Sequence, residues 1–166
     1  MKKVIISLLI ATVGLLTGYG QNKKAVKDSI AQVKFEQAVK DIDARDFAIV
    51  VDTYGNAYEP NTDNANFLSY EKDFMLLQGQ IIAGNSYTNK LEVNDFSQVT
   101  DKKGNVKYYL QVKGFYLTAK IEISLRKTSG NYADVIITPT RGEAVRFSGS
   151  VEPRSESKYF RRTGEI

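Results

Sequence analysis

The chain has 166 residues, 42% of them hydrophobic and 25% charged, with 23 Lys+Arg against 19 Asp+Glu and no histidine, cysteine or tryptophan. That composition suits one globular domain rather than a disordered chain. The missing residue types exclude Ser-His-Asp and Cys-His nucleophile pairs, imidazole or thiolate metal sites, and every disulfide, so stability must come from an ordinary hydrophobic core.

Residues 1–20 read as a cleaved secretory signal. Lys2 and Lys3 precede the apolar run 4–17, and Gly18-Tyr19-Gly20 supplies a small-x-small cleavage pattern, which makes Gln21 the expected first residue of the mature chain. The run is shorter than the roughly 20 apolar residues that span a bilayer, so no stable membrane span is expected after signal removal. A lipoprotein would need a cysteine at the cleavage point, and there is none. The expected location is therefore periplasmic or extracellular. Loss of Lys2 and Lys3 leaves 21 basic residues against 19 acidic ones, and this near-neutral balance argues against a nucleic-acid partner.

Residues 21–166 read as a single domain that opens with a helix over about residues 24–44. There Val26, Ile30, Val33, Ala38 and Ile42 recur at spacings of three to five among helix-favouring Lys, Gln, Glu and Ala. Asp41, Asp43 and Asp46 lack the glycine and terminal glutamate of an EF-hand loop. They read as a helix end running into a strand, not as a metal site.

Beyond the helix the period changes to two. Strands are expected at 47–52, 66–70, 74–78 and 91–99, followed by three with strict alternation. These place Val106, Tyr108, Leu110 and Val112 on one face, then Leu117, Ala119, Ile121, Ile123 and Leu125, then Val145, Phe147, Gly149 and Val151. Gly149 thus falls on the core-facing side, where a glycine marks close approach of a neighbour. Turn residues at 71–73, 101–105, 114, 128–131 and 140–143 join consecutive strands. The fold class is mainly β: an antiparallel meander of about eight strands forming a curved half-open barrel or sandwich, with the helix over one open side or edge.

Segments 53–64 and 79–89 break the alternation and read as long loops, which makes Tyr54, Tyr58 and Tyr87 the candidate ligand-binding residues of a tyrosine-bearing rim. The basic cluster Arg154, Lys158, Arg161 and Arg162 reads as a solvated tail. No catalytic residue and no cofactor are indicated. Three Ser-x-x-Lys pairs, at Ser69, Ser124 and Ser155, fall in strands or turns rather than at a helix start. The strand acids Glu92, Glu122 and Glu152 alternate with apolar positions and so face water, away from any enclosed cleft.

One resemblance adds to this. The order and spacing of Asn66-Phe67-Leu68-Ser69, Glu71-Lys72-Asp73, Leu76 and Gln78, Asp101-Lys102-Lys103-Gly104-Asn105, Ile136 with Thr138-Pro139, and Phe147-Ser148-Gly149-Ser150-Val151-Glu152-Pro153 with Glu156-Ser157 resemble the exported bacterial family called domain of unknown function 4251. The likeness covers roughly residues 33–166. It implies a Gram-negative cell-envelope protein with a mainly β domain, and it brings no activity, cofactor or catalytic residue. Three functions are weighed: non-catalytic binding of a small or extended ligand, an interaction module for another envelope protein, and a hydrolase built on carboxylates alone. The first is preferred. A closed barrel with an apolar interior pocket would favour a ligand, and a filled interior with an exposed apolar patch would favour a partner.

Overall fold

The computed structural model describes residues 22–54, 57–58 and 64–166. The expected signal peptide, residues 1–20, lies outside them. Helix α1 (Asn22–Asp43) precedes β1 (Asp46–Val50), β2 (Thr53–Tyr54), β3 (Ala57–Tyr58), β4 (Phe67–Glu71), β5 (Phe74–Gly79), β6 (Asn85–Thr100), β7 (Val106–Lys113), β8 (Thr118–Leu125), β9 (Tyr132–Pro139) and β10 (Val145–Pro153). A helical turn, Gln80–Ala83, joins β5 to β6.

Each short turn makes sequential strands antiparallel partners from β4 to β10, and β1 closes the meander by pairing with both β4 and β10. The result is a closed eight-stranded barrel. Its alternating positions all point as the sequence requires: Val106, Tyr108, Leu110 and Val112 are buried, as are Ala119, Ile121, Ile123 and Leu125. At eight strands a barrel interior is just wide enough for side chains to fill. Phe47, Ile49, Leu68, Tyr70, Tyr108 and Phe147, all buried, fill it here. Helix α1 covers the end that holds the β8–β9 turn, burying Phe35, Ala38 and Ile42. The turn at Gln80–Ala83 folds toward β10 at the other end and buries Ile82.

The closing seam carries an irregularity just beyond β1. Ile49 pairs with Val151, but Thr53 pairs with Ser148, so one extra residue is accommodated between them. The chain leaves β4 at this point and continues along β10 as β2, with β3 folded back beside it. The Val50 carbonyl is pushed over Gly149, where a Cβ would lie 2.0 Å from its oxygen. Gly149 is buried on the core-facing side of β10.

Two expectations are corrected. Segment 79–89 is not a long loop, because β5 runs to Gly79 and β6 starts at Asn85. Residues 154–166 are not a solvated tail but a strap across the outer face of β4, β5 and the start of β6. Both corrections share a cause. Gln78, fully buried on the outward side of β5, donates to the carbonyls of Ala65 and Phe160 and accepts from Thr88 Oγ1 and the Arg162 N–H. The Thr88 N–H donates to the Gly164 carbonyl, and the Lys90 N–H to that of Ile166. The Tyr159 ring lies against Phe67 with centroids 4.3 Å apart, and Arg154 and Arg161 pair with Asp46 and Glu71. Beneath the strap β4 and β5 are buried on both faces, which is why Ser69 and Gln78 join Leu76 among the buried residues.

Candidate functional site

The outward positions of β7 to β10 are left uncovered, and the strand register lines them up in transverse rows. Lys107, Ser124, Asp134 and Ser148 form one row, and Tyr109, Glu122, Ile136 and Arg146 the next. Gln111, Lys120 and Thr138 form the third. Because each strand alternates strictly, every inward apolar residue obliges its neighbours to stand on this face. Two adjoining hollows of about 480 and 380 Å3 lie among these rows and share Glu122 and Ile136.

Fixed polar contacts organise the trough. Lys107 Nζ donates to Glu122 Oε1 at 2.6 Å, and Ser124 Oγ donates to the same oxygen at 3.1 Å. Arg126 donates to Asp134 Oδ2 at 2.6 Å, while Ser148 Oγ donates to Asp134 Oδ1 at 2.8 Å. The Lys107 ammonium holds the Glu122 carboxyl below the usual carboxylate range, and the carboxylate in turn raises Lys107. At the lower rim Asp101 accepts from Asn105 and from the Lys103 N–H, and these bonds keep its carboxyl low as well. The two hollows are lined by four cations, Lys107, Lys120, Arg126 and Arg146, and by four anions, Asp95, Asp101, Glu122 and Asp134. The trough is therefore charge-balanced. Tyr109, 40% exposed, and the half-buried Ile136 supply its apolar floor.

The tyrosines singled out from the sequence are placed elsewhere. Tyr54 lies in β2, half-buried against the core. Tyr58 pairs with Thr53 in β3, and its side chain lies outside the described residues. Tyr87 stands exposed on β6, beside Gly164 of the strap. No described contact brings Tyr54 and Tyr87 together. Part of the trough was within reach of the sequence, since β7, β8 and β10 supply it with the polar half of the three alternating strands, while β9 adds Asp134, Ile136 and Thr138. Finding it requires the cross-strand register, which places Tyr109 opposite Glu122. Among the described residues no group of three or more acids is placed to hold a metal ion.

No family model and no curated protein match the chain. A solved structure does: the crystal structure of a DUF4251 family protein from Bacteroides eggerthii DSM 20697 superimposes with a TM-score of 0.66 at 22% identity, over 78% of this chain and 94% of that one. At that identity the likeness carries the fold, and the chain therefore shares the fold of a DUF4251 family protein, the family its motifs resemble.

Proposed function

We propose that this chain is a non-catalytic, exported domain of the cell envelope that holds an extended, uncharged glycan in the trough on β7 to β10. The observation that carries this reading is an uncovered outer face lined with paired donors and acceptors; the interior, occupied by side chains, leaves no room for a ligand, so the expected interior pocket is replaced by this outer trough. A trough of balanced charge offers no net attraction to a polyanion or polycation, whereas a polyhydroxylated chain can use its donors and acceptors together and rest on Tyr109. Catalysis is disfavoured because Glu122 and Asp134 are each tied to a cation, and Glu122 stays ionised where a general acid must hold a proton. A second reading, docking of another envelope protein, rests on Phe115 and Tyr116. They stand exposed at the β7–β8 turn with rings packed edge to face, 4.6 Å between centroids.

The test is isothermal titration calorimetry with hexasaccharides of β-1,4-linked glucose, xylose and N-acetylglucosamine. One of them is expected to bind, with Tyr109→Ala and Glu122→Gln each weakening it by about tenfold, ~1.4 kcal/mol. Absence of binding to all three, or binding that both variants leave unchanged, would remove the glycan assignment.

A further inference from the structure

Helix α1 carries more apolar surface than the barrel uses. Phe35, Ala38 and Ile42 are buried against it. On the opposite side of the helix Val26, Ile30 and Val33, at i, i+4 and i+7, form a second apolar row, and they are 43%, 53% and 58% exposed. A helix that packs on a single core should be polar on this side.

The surroundings of that row are basic. Lys27 and Lys34 stand on the helix face next to it, and both are exposed. The β8–β9 turn packs on the same flank, with Gly130 against Ala31 and Lys34. That turn contributes Lys127, whose side chain lies against Gly104 of the β6–β7 turn, and Gly104 follows the exposed Lys102 and Lys103. Five lysines are thus gathered, with Asp28 and Asp101 among them and Glu36 across the row, a local excess of +2. Glu36, bonded to Gln32, stands on the far flank of the row.

We propose that this end of the protein, the first half of α1 with the two lysine-bearing turns beside it, docks on an anionic lipid surface. The aliphatic row enters the boundary between headgroups and acyl chains while the lysine stems lie along it and leave their ammonium groups at the phosphates. Neither component suffices alone: three aliphatic side chains bury little area, and the lysines act only within a Debye length of the surface. No described helix is long and apolar enough to cross a membrane, so the docking is peripheral. It does not rest on the glycan reading: the trough lies on the flank of the barrel and α1 across its end, and the two surfaces adjoin at Asp101.

The experiment is co-sedimentation of the mature chain, residues 21–166, with vesicles of phosphatidylcholine alone or with about 30% phosphatidylglycerol. Its variants are Lys27→Glu with Lys34→Glu, and Val26→Ser with Ile30→Ser and Val33→Ser. All five sites are exposed, and a matched melting curve verifies the fold of each variant. The wild-type chain is expected to bind the anionic vesicles at least about fivefold more than the neutral ones, and to lose that preference in about 0.5 M salt. The lysine variant should lose the preference, and the serine variant should lose binding to both vesicle types. Equal binding by all three proteins, or no preference for phosphatidylglycerol, overturns the proposal. So does a concentration-dependent dimer, seen by sedimentation equilibrium and abolished by the serine variant, in a protein that ignores vesicles. That result would assign the row to a second copy of the chain.

Discussion

Replacing Gly149 by Ala adds one methyl group at the seam where the barrel closes. The new Cβ would stand 2.0 Å from the Val50 carbonyl oxygen, 3.1 Å from its carbon and 3.2 Å from Cγ2 of Ile49. A side chain could rotate away from such an intrusion, but the Val50 carbonyl belongs to a backbone held from two sides. The Val51 N–H bonds the Asn66 carbonyl at 3.0 Å, and the Asp52 N–H bonds that of Ser148 at 2.9 Å. The carbonyl would have to retreat by about 1.4 Å to reach ordinary contact, so the cost should sit at the upper end of overpacking penalties, about 3 kcal/mol. For a domain of this size that lowers Tm by about 10 °C. Differential scanning calorimetry of Gly149→Ala measures it, with Gly164→Ala as control, because a Cβ there would meet Tyr87 only at 3.9 Å. A fall of less than about 2 °C relative to the control would refute the closure argument.

Gln78→Leu keeps the volume but removes four hydrogen bonds beneath the strap. It should cost about 3 kcal/mol in urea denaturation and speed tryptic cleavage at Arg154, Lys158, Arg161 and Arg162, and an unchanged cleavage rate would contradict the strap. Burial raises the Asp41 carboxyl above its ordinary value, opposed mainly by the Gln37 hydrogen bond, and Oδ2 has no partner. A carboxyl raised on folding favours the folded state below its unfolded pKa, and that stability is lost as pH rises through the folded value. Asp41→Asn is therefore expected to stabilise by about 1 kcal/mol near pH 7 and to have no effect near pH 3, measured by urea denaturation at both. A wild-type chain that is the more stable near pH 7 would reverse the sign and sink the argument.

The half of the fold that alternates in the sequence alternates in space. β7, β8 and β10 each have one face in the core and one in water, and hydrophobic period reports that situation directly. Period fails where it must, under the strap. Thr88 and Asn89 are strand residues buried through hydrogen bonds, and their polarity reads as a loop. β9 shows a milder form of the problem, because Ile136 faces the trough and blurs the contrast with Ala133, Val135 and Ile137. The strap itself reads as a charged tail because its anchors are backbone groups and Gln78, and neither carries a pattern along the chain. For the site, an aromatic in an irregular segment does not reveal which way it faces: Tyr54 is held against the core, whereas Tyr87 stands exposed. The trough depends on which residues stand opposite each other, and that is information about pairs of strands.

A ligand held on the outside of a filled barrel should be visible in an NMR titration with the glycan that binds in calorimetry. Amide shifts are expected at residues 107–111, 120–124 and 134–138, with the methyl groups of the inward Ile49, Leu68 and Leu77 unmoved. Largest shifts at those inward methyls, with the outer rows silent, would contradict it.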